Sequence, residues 1–332
     1  MKAFIIDRYG DNDTVRAGEM PEPVLREDDV LVQIHAASVN PLDLRIRGGE
    51  LKLVLPYRLP LILGNDFAGV VVRVGPRVCR FKPGDEVYAR PDQDRIGTFA
   101  QNIAVREDDL ALKPRTLSME DAASIPLIGL TAWQAFERAR LKRGQKVLVH
   151  AGSGGVGTFA IQLAKHLGAT VATTTSTANL EWVKALGADI VIDYKKSAFE
   201  TILKDYDVVL DTQGGDVLEK SLQVLKPGGT VISLAGPPDP EFAKAISANW
   251  VVRLAMRLLS YRIRKRAQRA RVGYSFLFMR PSGHQLREIA SLIDSQVIKP
   301  VVDRVFPFEA TKEALAYVDK GRAKGKVVIK VQ

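Results

Sequence analysis

Through the first third of the chain apolar residues alternate with polar ones or gather in short runs, and Gly or Pro punctuates between them. Val30, Val32, Ile34 and Ala36 share one face of an expected strand, and residues 67–74 form a second apolar run. Pro83-Gly84-Asp85 then turns the chain into Glu86-Val87-Tyr88-Ala89. Short strands with frequent turns predict a small β-barrel. From Ser118 the period lengthens: SMEDAASIPLIGLTAWQAFERA opens on a Ser cap, places acids in the first turn and continues with helical spacing.

From Lys146 apolar strands alternate with helices. The pattern predicts strands at 146–150, 170–174, 190–192, 208–211 and 230–234, the last after a turn at Pro227-Gly228-Gly229, and helices at 156–167 and 179–186. Strand and helix repeated with short connections predict a parallel sheet with helices on both faces, an α/β doubly wound domain. A helix is expected at 282–295, and residues 301–331 return to β character with a short helix near 311–319. The closing GKVVIKV reads as a strand that rejoins the N-terminal barrel.

Composition adds exclusions. The 332 residues are 46% apolar and 26% charged, as in an ordinary soluble globular chain with room for two domains. Cys79, the single cysteine, has no partner for a disulfide, a redox pair or a thiolate zinc cage, which points to a reducing compartment. The opening MKAFIIDRYGDND turns acidic before a signal-peptide core forms, so a cytoplasmic location is expected. Charge is the unusual total. Of the net +10, eight charges come from residues 251–271, where Arg253, Arg257, Arg262, Arg264, Lys265, Arg266, Arg269 and Arg271 face no acid. The rest of the chain is close to balance, so the basicity belongs to one segment.

The chemistry-bearing motif is VLVHAGSGGVGTFAIQLAKHLGA at 147–169, a glycine-rich turn between a buried strand and an amphipathic helix. In the turn Gly152-Ser153-Gly154-Gly155-Val156-Gly157 the four glycines remove the β-carbons that would block a pyrophosphate, and the helix starting near Val156 offers it unpaired N–H groups. A lone glycine motif is weak; the strand before it, the helix after it and the further βαβ units make this one specific. A site for NAD needs a carboxylate about 20 residues after the first glycine, for the ribose hydroxyls. The chain has Thr173-Thr174-Thr175-Ser176-Thr177 instead. Hydroxyls of Thr175 and Ser176, with Asn179, and with Tyr194, Lys195 and Lys196 after the third strand, suit a 2′-phosphate, so NADP(H) is the expected coenzyme. The alternative is that these residues only finish a strand and cap the next helix.

The order of barrel, glycine turn and closing strand resembles the medium-chain dehydrogenase/reductase superfamily, in its zinc-independent quinone oxidoreductase and enoyl reductase branch. The residues that carry the likeness are Ala37-Ser38-Val39-Asn40-Pro41-Leu42-Asp43, Gly64-Asn65-Asp66-Phe67-Ala68-Gly69, Pro83-Gly84-Asp85-Glu86-Val87, Gly129-Leu130-Thr131-Ala132 and the glycine turn. The resemblance implies a GroES-like catalytic domain from 1–118 and 283–332. It implies a Rossmann NADP-binding domain from 119–282 with a basic helical insertion at about 241–271, and a homodimer.

Zinc-dependent members of that superfamily hold the metal with a Cys and a His at the positions matching Asn40 and Asn65. Neither amide is a competent zinc ligand, and His35, His150, His166 and His284 fall in unrelated segments, each expected on the surface of a strand or helix. No metal is therefore expected. Without a Lewis acid the expected chemistry is hydride transfer from NADPH to a quinone or an α,β-unsaturated carbonyl, where charge develops on the conjugated oxygen. Asn40 is the candidate for bonding the nicotinamide ribose or the acceptor oxygen, although Asn40-Pro41 is also ordinary turn chemistry. Asp43 is expected to hold that loop by pairing with an Arg. The resemblance places Thr131 near the nicotinamide, Leu234 and Ala235 by its ribose, and Phe276, Phe278 and Lys326 around the far side. Thioester reductases of the superfamily carry a proton-donating Tyr soon after the Asn loop; here Tyr57, displaced along the chain, is the catalytic candidate for that role, and its displacement favours quinones and free enones, whose protonation can come from water.

Residues 249–271 can form a helix with Val251, Leu254, Ala255 and Leu258 on one face and Arg253, Arg257 and Arg264 on another. Three uses fit: a solvated helix packed over the site or a neighbouring subunit, a weak peripheral contact with anionic membrane, or a nucleic-acid contact, which lacks an aromatic stacking platform and is not expected. The rival to an enzyme is a non-catalytic, nucleotide-regulated binding protein that docks on anionic membranes or partners through this helix.

Overall fold

The computed structural model describes residues 1–52 and 54–332. They form two compact units, residues 1–130 with 280–332, and residues 131–279.

In the first unit the long strand Asp29–Val39 is the hub, pairing antiparallel with Asp66–Val74, Asn102–Arg106 and Lys326–Lys330. The expected alternation gives way there: Leu31 and Ala37 are buried along with Val30, Val32 and Ile34. Register shifts at Leu31/Val32 and Ile34/Ala36 coil the strand, so both of its faces meet the core. Lys326–Lys330 rejoins the N-terminal sheet as the sequence predicts, with Val327 opposite Val39. The helical signal from Ser118 resolves into Met119–Ala123, where Ser118 Oγ accepts from Asp121 N at 3.0 Å, and Pro126–Ala139.

In the second unit six parallel strands stand in the order Ile190–Asp193, Thr170–Thr175, Lys146–Val149, Tyr206–Asp211, Leu225–Ser233 and Gly273–Phe276. Numbered along the chain that order is 3-2-1-4-5-6, the doubly wound arrangement. Its direction reverses between the first and fourth strands, and ligands bind at the carboxyl ends there. Leu148, Ala172, Val209 and Val231 of the central strands share a buried cluster with Leu218, Leu222, Ile263 and Ala267 from helices. The expected turn at Pro227-Gly228-Gly229 lies inside the fifth strand. The register shifts between Tyr206 and Val208, Gly228 takes φ +84°, and its N–H bonds Arg271 O at 2.8 Å, so the Pro-Gly-Gly run forms a bulge. The basic segment is two helices, Trp250–Leu259 and Tyr261–Arg269, because buried Ser260 turns its hydroxyl back onto Met256 O at 2.7 Å and breaks the continuous run.

Candidate functional site

The first strand of the parallel sheet ends at Val149 and the helix Gly155–His166 begins six residues later. Its N-cap is Gly154, which has no side chain to offer the first-turn N–H groups, so these remain available to an anion. The glycines divide the work. A β-carbon on Gly157 would stand 2.2 Å from Ala151 O and one on Gly152 2.2 Å from Thr173 Oγ1, so both keep helix and strands in close contact. At Gly154 the nearest obstacle is Ala151 O at 3.4 Å, an ordinary contact that leaves the approach open.

Beside this turn, Thr175 pairs in register with Asp193, and its Oγ1 is buried without a partner among the described residues. Ser176 Oγ accepts from Asn179 Nδ2 at 3.1 Å, and Asn179 Oδ1 accepts from Trp182 Nε1 at 3.0 Å, so part of the Thr/Ser run does cap the following turn. Tyr194 is well exposed. Sequence reasoning overlooked Asp193: its Oδ2 accepts from Thr177 at 2.6 Å and its Oδ1 from Lys195 N at 3.0 Å. Chiefly through Thr177, and with help from Lys196 and Lys195, its carboxyl is held below the usual range. A carboxylate therefore does stand in this corner, one strand later than an NAD-type site would have it.

Across the reversal point, buried Asp211 accepts from the N–H groups of Gln213 and Gly214, each at 3.0 Å, and from Ser233 Oγ at 2.6 Å. Leu234 N donates to Asp211 O at 2.8 Å, which pins the start of the Leu234-Ala235 loop. Phe276 and Phe278 flank Phe242, with centroids 5.1 and 5.7 Å from it, and Thr131 is buried on the helix Pro126–Ala139. His150 corrects the expected surface position: it is buried between Thr174 and Ser221. Ser221 gives its one proton to Val217 O at 2.7 Å, so His150 Nε2 must donate to Ser221 Oγ at 2.9 Å, leaving Nδ1 to accept from Thr174. Burial holds this neutral ring down to about 4, against the opposing pull of Asp211 and Glu200.

A second constellation lies in the first unit. Three chain segments bring Asn40, Asp43, Asn65, Asp66 and Lys326 together, all buried. Lys326 Nζ donates to Asn40 Oδ1, to Val39 O at 3.2 Å and to Asp66 Oδ2 at 3.4 Å. Asp66 Oδ2 also accepts from Ser38 Oγ at 2.7 Å and Asn40 Nδ2 at 2.9 Å, and its Oδ1 accepts from Leu127 N at 2.8 Å. Asp43 is not paired with an Arg as expected. It closes a capping box on the helix Pro41–Arg47, accepting from Asn40 N and from Asn65 Nδ2, each at 2.7 Å. Burial raises Asp43 to about 6, against the Asn65 and Asn40 hydrogen bonds, and burial lowers Lys326 while Asp66 and Asp43 oppose the fall.

Asn40 and Lys326, predicted separately, thus meet directly. Tyr57 makes no hydrogen bond to them among the described residues: its hydroxyl donates to Gln93 O at 2.7 Å, and burial raises its pKa. Arg90 was missed by sequence reasoning. It is buried, donates to Pro91 O at 2.8 Å and sets a positive charge near Tyr57, Asp66 and Asp109. A lone Arg after a short strand carries no pattern that announces burial.

Residues 26–115 match the family described as alcohol dehydrogenase GroES-like domain, and residues 186–329 match the one described as zinc-binding dehydrogenase. The chain is 38% identical to the 2-methylene-furan-3-one reductase of Solanum lycopersicum, covering 99% of this chain and 79% of that one. Among solved structures, the quinone oxidoreductase of Coxiella burnetii superposes with a TM-score of 0.88 at 32% identity, over 100% of this chain and 99% of that one. The Escherichia coli quinone oxidoreductase complexed with NADPH superposes with a TM-score of 0.84 at 26% identity, over the whole of both chains. On the evidence of this full-length agreement and of the doubly wound sheet behind its glycine turn, the chain belongs to the medium-chain dehydrogenase/reductase superfamily, in its quinone oxidoreductase-like branch.

Proposed function

We propose that the protein is a cytoplasmic reductase that uses NADPH to reduce a quinone or an α,β-unsaturated carbonyl, without a metal ion. The observation that carries this reading is the Lys326–Asp66–Asn40 contact. Where zinc-dependent relatives are expected to set ligands, a buried ammonium already neutralises the carboxylate, and two amides fill the remaining places. Amides and an ammonium are the wrong donors for Zn²⁺. Among the described residues no group of three or more His, Cys, Asp or Glu is arranged to hold a metal.

The glycine turn fits a dinucleotide. Gly152, Ser153, Gly154, Gly155 and Val156 would hold the diphosphate, Thr175, Ser176, Asn179 and Tyr194 the adenosine end, and Thr131, Leu234, Ala235, Phe276 and Phe278 the nicotinamide half. When bound, NADPH supplies the hydride, and a proton completes the reduction. The names of the relatives, a furanone reductase and quinone oxidoreductases, support conjugated carbonyls and quinones as acceptors.

Asn40 has both amide hydrogens engaged, on Asp66 and on Ser38 O at 3.3 Å. What it retains is acceptor capacity on Oδ1, suited to a ribose hydroxyl. Lys326 orients that amide, its three N–H groups directed at Val39, Asn40 and Asp66. With Tyr57 turned to Gln93, no side chain of this set has a free proton for the product, and water supplies it.

The test is NADPH oxidation with a small 1,4-quinone and a 2-enal. Asn40→Ala is expected to lower kcat/KM about 10- to 100-fold, mainly through coenzyme binding. Stoichiometric zinc in the purified protein together with alcohol oxidation, or no turnover with either acceptor, would overturn the assignment.

A further inference from the structure

The helix pair at 250–269 has two differently built sides. Inward, Met256, Ser260, Ile263 and Ala267 repeat at three- and four-residue spacing and are buried. Outward on the first helix, Trp250, Leu254 and Leu258 repeat every fourth residue with Val251 beside them, and their exposures are 75%, 49%, 67% and 53% respectively. At 3.6 residues per turn these side chains point away from Met256, so the helix is apolar on the face that meets solvent. Outward on the second helix, away from Ile263 and Ala267, the exposed residues are Tyr261, Arg262, Lys265, Gln268 and Arg269, three of the five basic. No Asp or Glu occurs between Glu241 and Glu288. Among the described residues Arg262 and Arg266 reach Glu219, whereas Arg253, Arg257, Arg269 and Arg271 have no ion pair.

We propose that this helix pair is a docking surface for an anionic membrane, with Trp250, Val251, Leu254 and Leu258 entering the interface and the arginines meeting lipid phosphates. Charge decides between the candidate occupants. A second copy of the chain would form a two-fold, self-complementary contact and bring the same unneutralised arginines against each other. Nucleic acid would satisfy the arginines but leave the aliphatic row in water. Of the helix pair's two exposed aromatic rings, Trp250 and Tyr261, the second already carries Lys265 at 5.4 Å from its centroid. A bilayer surface rich in acidic lipid answers both halves of the pattern, a basic face and an apolar face with Trp at its edge.

The test uses the whole protein and vesicles of phosphatidylcholine, with or without about one-third phosphatidylglycerol. The protein is expected to sediment with the acidic vesicles at least tenfold more than with neutral ones, and to show a blue shift of tryptophan emission that Trp250→Phe abolishes. Leu254→Ser with Leu258→Ser, and separately Arg253→Gln with Arg257→Gln and Arg269→Gln, are expected to reduce binding at least tenfold. These side chains are exposed, so NADPH oxidation in solution and thermal stability stay unchanged. Three results would overturn the proposal: equal binding to both vesicle types or to neither, binding to single-stranded oligonucleotide instead, and a dimer that Leu254→Ser with Leu258→Ser converts to monomer.

Discussion

The glycine turn of the parallel sheet and the polar cluster of the first unit are built on opposite plans. The turn is made from backbone within a single stretch of chain, and its residues matter for atoms they lack. The cluster is made from side chains that three distant segments deliver to one buried place. A backbone site is therefore sensitive to added bulk and indifferent to charge, and a side-chain site the reverse.

The sharpest test of that contrast is charge removal in the cluster. Lys326→Met strands Asp66 in the core and is expected to destabilise by about 3–5 kcal/mol, since breaking a buried pair costs far more than the pair contributes. Adding Asp66→Asn should recover more than half of the loss, as urea unfolding of the single and double variants would reveal. If the single variant unfolds at the wild-type midpoint, the cluster does not depend on charge.

Added bulk in the turn comes next. Gly157→Ala directs a methyl at Ala151 O, which cannot move without the strand, and should cost about 1–3 kcal/mol together with coenzyme binding. Gly154→Ala has room and should leave stability within about 0.5 kcal/mol of wild type, with weaker NADPH binding by calorimetry. Equal destabilisation by the two would erase the division of labour among the glycines.

The third test is pH. Asp43 in the cluster is raised to about 6, so the folded state takes its proton first. Its contribution is fully present below the ordinary carboxylate range near 4 and is lost as pH rises through 6. His150 behind the turn is lowered to about 4, so the unfolded chain takes that proton first. Its contribution is complete above about 6.5 and is lost as pH falls to 4. The two slopes oppose each other in one window. Urea midpoints from pH 4 to 6.5 should rise more steeply with pH in Asp43→Asn than in wild type, and flatten or reverse in His150→Asn.

The smallest expected effect is at Tyr57. Tyr57→Phe removes the bond to Gln93 O and should cost about 1 kcal/mol while leaving kcat with a quinone nearly unchanged. A loss of tenfold or more in kcat would restore Tyr57 as the proton donor.

The same contrast explains what was legible. The turn, its strand and its helix announce themselves because spacing over about 20 residues encodes them, and the five predicted strands of the parallel sheet fall where their apolar runs lie. Asn40 and Lys326 were each reached through family resemblance, but their contact depends on Val327 standing opposite Val39, a register no local pattern encodes. The burial of Arg90 and His150 is illegible for a related reason: a polar residue's burial is decided by what packs over it, and Thr174 and Ser221 reach His150 from 24 and 71 residues away. Asp193 lies on the third strand, outside the spacing of an NAD-type carboxylate, and only parallel pairing sets it beside Thr175. At Pro227-Gly228-Gly229 turn chemistry was read correctly but assigned to the wrong device, since a bulge uses the same residues.

The strand that carries Lys326 also fixes an order of events during synthesis. The parallel sheet ends at Phe276 and has all its strands once that residue has left the ribosome, whereas the hub strand Asp29–Val39 must wait some 290 residues for the last of its neighbours. Until residue 326 emerges, Asp66 has no ammonium beside it. A nascent chain stalled short of that point would display an open sheet edge, a template for pairing with another chain, beside an unpaired acid.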